Sequence, residues 1–214
     1  MGDAKQLRVA PISSVDAKRI VKACHYSGGV VPNSKLHLGV FLRGRCCGVM
    51  SFGPSMFKSQ MIGLVRGSTT SSFLELNRMA FSEALPRNSE SRAIAIACRL
   101  IARHAPQVKW IISFADATRC GDGTIYRAAG FVLTGIKRNS SLRIDPASGK
   151  VVQSVTAHKR GLDKEFRSWE RVPGFQLRYV RFIDPTWRDR LAVDPIPFER
   201  IAELGVTMYR GVRG

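Results

Sequence analysis

The chain has 214 residues, with 34 Lys and Arg against 16 Asp and Glu, a formal net charge of +18. Hydrophobic residues make up 44% of it, enough to bury a core without disulfides or structural metals. Ordinary glycine and proline usage excludes collagen-like and low-complexity chains, and no apolar run is long enough to cross a bilayer.

In chain order, residues 6–11 predict a short strand. Ser13 reads as the cap of a helix with Asp16 in its first turn, running to about Tyr26 and stopped by Ser27-Gly28-Gly29. Two apolar runs at 36–42 and 46–52, joined by Arg43-Gly44-Arg45, predict a hairpin. A loop at 54–70 follows, then a strand at 73–81. Pro86-Arg87-Asn88-Ser89-Glu90-Ser91-Arg92 opens a helix whose apolar residues Ile94, Ala97, Leu100 and Ile101 keep helical spacing up to Pro106. Continuous apolarity predicts a buried strand at 108–115. A short helix at 124–129 is closed by Gly130, and 131–136 is the next strand. Beyond 137 the pattern weakens: a hairpin around Asp145–Gly149, polar helical residues at 158–169, and a strand at 175–183. The alternation predicts an α/β fold, a mixed sheet with helices on both faces.

The charge is spread along the chain. Residues 1–136 carry 18 basic and 7 acidic side chains, a net +11, and 137–214 carry 16 and 9, a net +7. The folded body itself must be basic, which suits a polyanion such as nucleic acid. A membrane is not expected as a partner, because no long basic amphipathic helix is visible. Five cysteines, odd in number and without Cys-x-x-Cys spacing, argue against a zinc site. With no apolar leader at the N-terminus, they point to a reducing, cytoplasmic setting.

Several groups could carry chemistry. The helix start with Arg87, Asn88, Ser89, Ser91 and Arg92 offers backbone N–H groups and positive charge to a diphosphate, or is an ordinary cap with Ser89 as capping residue. Asp116 ends a buried strand, where open α/β sheets place ligands, or it caps a loop. His25 stands at a helix C-terminus, where capping is the common role. Tyr126 reads as a core tyrosine whose hydroxyl finds a surface partner. Arg43, Arg45, Lys58 and Arg66 could track phosphates. Tyr26, Phe52 and Phe57 could stack on a base, with core packing the alternative for Phe52.

The run Tyr126-Arg-Ala-Ala-Gly130-Phe131 resembles a helix-to-strand element of the GNAT superfamily of N-acetyltransferases. The longer stretch Ser113-Phe-Ala-Asp116-Ala-Thr-Arg-Cys120-Gly-Asp122-Gly-Thr-Ile-Tyr126-Arg-Ala-Ala-Gly-Phe131, with His25-Tyr26, Ser51-Phe52-Gly53 and Glu75-Leu-Asn77-Arg78, resembles the Mom family of phage DNA modification proteins. The resemblance spans about residues 20–136.

The resemblance implies a GNAT-like acyl-CoA N-acyltransferase fold with a β-rich C-terminal extension. Residues 1–136 would form the catalytic core, and 137–214 a family-specific section completing the same domain. It implies an enzyme that makes N6-carbamoylmethyl-adenine in double-stranded DNA and protects phage DNA from restriction. His25, Tyr26, Asp116 and Tyr126 map onto the residues held important in that family, which have been linked to iron. Acetyl-CoA is the default donor, although no glycine-rich coenzyme A loop is present. Two other readings stay open: an acetyltransferase acting on a small-molecule or protein amine, and a non-catalytic DNA-binding protein. A homodimer is left open.

Overall fold

Ser13 does cap the first helix: its hydroxyl accepts the Asp16 N–H at 3.0 Å, and Arg19 pairs with the Asp16 carboxylate at 3.0 Å. The computed structural model describes residues 3–25, 29, 31–117, 123–139, 141–172 and 174–204. Tyr26, Ser27, Gly28 and Asp122 lie outside them.

The elements are β1 (Arg8–Pro11), α1 (Ser14–Cys24), β2 (Leu36–Leu42), β3 (Arg45–Gly53), α2 (Lys58–Met61), β4 (Phe73–Phe81), α3 (Ser89–His104), β5 (Trp110–Asp116) and α4 (Thr124–Ala128). They continue with β6 (Val132–Arg138), β7 (Leu142–Ile144), β8 (Val151–Gln153), α5 (Ser154–Lys159), α6 (Asp163–Ser168), β9 (Phe175–Phe182) and α7 (Glu199–Ala202). Arg43 and Gly44, at φ 49 and 82, form the tight turn between β2 and β3.

Seven strands make one mixed sheet in the order β1-β2-β3-β4-β5-β9-β6. β1 to β4 form an antiparallel meander. α3 then crosses over so that β5 runs parallel to β4. β9 lies antiparallel between β5 and β6. Between β6 and β9 the chain makes an excursion: the β7–β8 hairpin with α5 and α6, closed around Val152, Ala157 and Phe166.

One face of the sheet carries α3, whose Ala93, Ile94, Ala97, Cys98 and Ile101 share a core with Leu76, Phe81, Ile111, Ala115, Leu177 and Tyr179. On the other face Ala17, Ile20 and Val21 of α1 cover Val49 and Ala80. Beside them Met61, Leu64 and Val65 pack on Phe73, Trp110, Ile112 and Val180. Trp110 is fully buried and stacks on Phe73 at 4.3 Å between ring centres.

Two features of β4 position the site. β4 and β5 pair only from Phe73↔Trp110 to Leu76↔Ser113; beyond that row the two parallel strands splay apart. At the same point the register with β3 slips: Phe52 faces Leu76 but Ser51 faces Arg78, so Asn77 is an extra residue on β4. Such a bulge re-aims the side chains after it.

Candidate active site

The bulge decides which side chains share a face. In a regular strand, residues 75 and 78 would point to opposite sides. With Asn77 inserted, Glu75 follows Phe73, Arg78 precedes Ala80, and both point to the α1 face. There Arg78 continues a cross-strand polar row, His37–Ser51–Arg78, in which the His37 Nδ1 lies 2.9 Å from the Ser51 hydroxyl. The Arg78 guanidinium donates to Gly29 O at 2.9 Å. Ser34 donates to the Asn77 side chain at 2.8 Å, and the Asn33 amide donates to Pro54 O. Burial pushes the Glu75 carboxyl above the ordinary range, with Ser55, the Met56 backbone and the Arg78 cation pulling in the other direction.

His25 ends α1, its N–H donating to Val21 O at 2.9 Å, so the capping role is real. Its imidazole is held at about 4, well below the ordinary 6.5, first by burial and then by the Arg78 cation. The folded protein therefore keeps His25 neutral at pH 7, while the unfolded chain takes up the proton near 6.5. Stability contributed by His25 is full above about pH 6.5 and is lost as the pH falls through that value toward 4. Because solvent reaches part of the ring, the expected loss is about 1–2 kcal/mol. Urea unfolding of the parent and of His25→Gln across that range checks it: the parent midpoint should fall more steeply than that of the variant.

Tyr126 is placed differently. α4 starts at Gly123 (φ 75) and ends at Gly130 (φ 75), where Gly130 N–H donates to Arg127 O and Phe131 N–H to Tyr126 O. This closing motif is the reason for the Gly-Phe pair. It sets the Tyr126 ring flat against Tyr179 (4.5 Å, 8°) and edge-on to Phe131 (5.3 Å). The Tyr126 hydroxyl lies 3.1 Å from Ser113 Oγ, which donates to Leu76 O at 2.9 Å. Tyr126 therefore reaches the last paired row before the splay, from the α3 side.

Asp116 falls on the α1 side by alternation with Trp110, Ile112 and Phe114, in register with Gln176. On the same side Arg178 of β9 is fixed to β6, donating to Thr134 O at 2.7 Å and to Thr134 Oγ1 at 3.1 Å.

His25 and Asp116 therefore lie on the α1 side of the sheet and Tyr126 on the α3 side. The sheet lies between His25 and Tyr126. Among the described residues, no group of three or more His, Cys, Asp or Glu side chains could hold a metal ion. His25 also lies in the field of Arg78, which opposes a second cation. The described donors do not fit an iron site, and no step is derived through one.

The expected anion site is modified too. The cap of α3 is Asn88, left-handed at φ 68, rather than Ser89. Ser89 is fully buried and donates to Pro86 O at 2.5 Å, and Ser91 donates to Asn88 O at 3.3 Å, so neither hydroxyl is aimed outward. Arg87 and Arg92 are exposed at the C-terminal end of β4, Arg92 donating to Lys5 O at 3.4 Å. The four basic residues named as phosphate contacts divide between two ends of the sheet. Arg43 and Arg45 lie at the β2–β3 turn, near the C-terminal end of β4, whereas Lys58 and Arg66 lie in the connection to its N-terminal end. Arg66 donates to Asp189 O at 3.1 Å. Phe52 is 1% exposed and belongs to the core, not to a stacking surface. Glu75, Arg78 and Ser113 escaped notice as site residues, although Ser113, polar inside an apolar strand, was a visible signal.

A meander, a parallel crossover strand splayed from it, and a final hairpin strand inserted beside β5 define the N-acetyltransferase class of fold. Two solved structures bear this out: the ribosomal-protein-S18-alanine N-acetyltransferase of Escherichia coli (10% identical, TM-score 0.50, covering 83% of this chain and 94% of that one) and a Bacillus subtilis acetyltransferase in complex with CoA (10% identical, TM-score 0.50, covering 83% and 97%). The chain belongs to the Mom protein family, which it matches over residues 6–200. Methylcarbamoylase Mom of Escherichia phage Mu is 38% identical over 197 residues, covering 88% of this chain and 80% of that protein.

Proposed function

We propose that the chain is a transferase that forms N6-carbamoylmethyl-adenine in double-stranded DNA and thereby shields phage or prophage DNA from host restriction enzymes. Membership of the Mom family over nearly the whole chain carries this reading. The two-sided site supports it, because a group transfer needs a donor side and an acceptor side.

On the α3 side, Arg87, Arg92 and the backbone opening α3 would hold the diphosphate of acetyl-CoA, with the splay between β4 and β5 taking its arm. When bound, acetyl-CoA would supply an activated two-carbon unit; thioester cleavage by N6 alone would leave an N6-acetyl group, whereas the carbamoylmethyl group is joined to N6 through its CH2 and ends in an amide. Tyr126, held by Ser113 and stacked on Tyr179, presents its hydroxyl at the last paired row before the splay and would act there as a proton donor. On the α1 side, the adenine N6 lone pair is delocalised into the ring, so N6 needs a base. Glu75, whose carboxyl is raised by burial, is the better placed; Asp116 and Arg78 orient the purine. The target base must leave the duplex to reach this site. The direct check is digestion of plasmid DNA from cells expressing the protein: it should resist restriction enzymes that cut the same DNA from control cells.

The excursion between β6 and β9 supports duplex binding. Residues 137–172 hold nine Lys and Arg and four Asp and Glu, a net +5. Lys137, Arg138, Lys150, Arg160, Lys164, Arg167 and Arg171 are exposed and form no salt bridge among the described residues. The excursion leaves the sheet one residue beyond the row Asp116–Gln176–Lys137, at the end where Asp116 sits. Replacing Lys164 and Arg167 by Gln should weaken binding to a duplex of any sequence and reduce the slope of log K against log salt by about 1–2. Fluorescence anisotropy at several salt concentrations measures this.

A further inference from the structure

Beside Glu75 the chain exposes two large apolar side chains that the fold does not use. Residues 54–57 lead from β3 into α2, and their root is pinned. Asn33 donates to Pro54 O, Ser55 is buried, and Phe57 N–H donates to Ser55 Oγ at 3.3 Å. At the other end of α2, Met61 is buried with Phe73 and Trp110. The tip is the opposite: Met56 is 70% and Phe57 57% exposed, followed by the exposed polar residues Lys58, Ser59 and Gln60. A rigid turn that holds two adjacent apolar side chains in water has left their apolar surface for another body to cover.

The occupant follows from the neighbour. Gly53 is the β3 partner of Glu75 in the sheet, and Met56 follows it by three residues, so the tip springs from the strand end that lies against Glu75. An enzyme that turns a base out of a duplex leaves a hole in the stack, and apolar side chains inserted between base steps are the recurrent way to occupy such a space. A phenyl ring and a thioether can stack on the flanking bases regardless of their identity. Lys58 follows at once, exposed, as a contact for the flanking phosphate.

We propose that Met56 and Phe57 form a wedge that enters the duplex at the target base pair, fills the space the adenine vacates and keeps the extruded base on the Glu75 side of the sheet. This rests on the reading of the chain as a DNA adenine-modifying transferase. Met56 and Phe57 are positioning residues.

The test compares the parent, Phe57→Leu, Phe57→Ser and the double variant Met56→Ala/Phe57→Ser, each confirmed folded by its thermal transition. Nucleoside mass spectrometry of plasmid DNA from expressing cells gives the extent of modification. A duplex carrying 2-aminopurine at an adenine modified in that plasmid reports unstacking by its fluorescence. Phe57→Ser and the double variant should lose about tenfold or more of the modification, and most of the fluorescence rise that the parent produces on binding. Phe57→Leu, still apolar, should keep both. Equal modification by the double variant and the parent would overturn the wedge and leave the tip as a contact for some other surface. A loss of modification with an undiminished fluorescence rise would also overturn it. Absence of the modified nucleoside with the parent itself would instead overturn the transferase reading.

Discussion

Tyr126→Phe should abolish most of the modifying activity, by about 100- to 10,000-fold, while leaving the fold intact. The ring is what packs: it stacks on Tyr179 and meets Phe131 edge-on, and phenylalanine keeps both contacts. The hydroxyl, the proposed proton donor, lies 3.1 Å from Ser113 Oγ at the row where β4 and β5 part. Removing it frees Ser113 to keep its bond to Leu76 O. The expected stability change is therefore small, about 1 kcal/mol, the size of one hydrogen bond. Modified adenine in expressing cells, set against a denaturation curve of the purified variant, separates the two effects. A fully active Tyr126→Phe would remove the acid from the mechanism.

Gly123→Ala should damage fold and function together. Gly123 sits at φ 75, where a Cβ is strained, and that Cβ would lie 1.9 Å from the Tyr179 hydroxyl. Tyr179 is fully buried and carries the stacked Tyr126 on its face, so it cannot swing into solvent. Relief requires moving α4, and the start of α4 sets the position of Tyr126. A loss of about 2–4 kcal/mol is expected, combining overpacking with backbone strain. Thermal or urea unfolding measures it. Activity should fall even where the variant is fully folded, because the Tyr126 hydroxyl is displaced from Ser113. A variant of unchanged stability would mean that α4 gives way freely and that the stacked pair is not rigid.

Most elements were legible because their signals are local. Ser13 capped α1, Arg43-Gly44 turned the hairpin, and Gly130-Phe131 closed α4 as their chemistry requires. The site was only half legible. Candidates could be picked out, since Asp116 and His25 stand at element ends. Which face each one occupies was not visible. The Asn77 bulge adds one residue without disturbing the apolar pattern of 73–81, so alternation alone puts Glu75 and Arg78 on opposite sides when they share one. The insertion of β9 between β5 and β6 is a long-range pairing across a 36-residue excursion, counting 139–174, and nothing local encodes it. The direction of the Ser89 hydroxyl, turned back to Pro86 O, is a rotamer-level detail that no spacing reveals.

The central claim is a transferase acting on adenine N6 in duplex DNA through a site divided by the splay of β4 and β5. Enzymatic digestion of plasmid DNA from cells expressing the parent, Glu75→Gln and Tyr126→Phe, followed by mass spectrometry of the deoxynucleosides, tests it most directly. The account predicts N6-carbamoylmethyl-deoxyadenosine with the parent and a collapse of that product with either variant, one from each side of the sheet. Unmodified deoxyadenosine with the folded parent, or undiminished product with both variants, would contradict it.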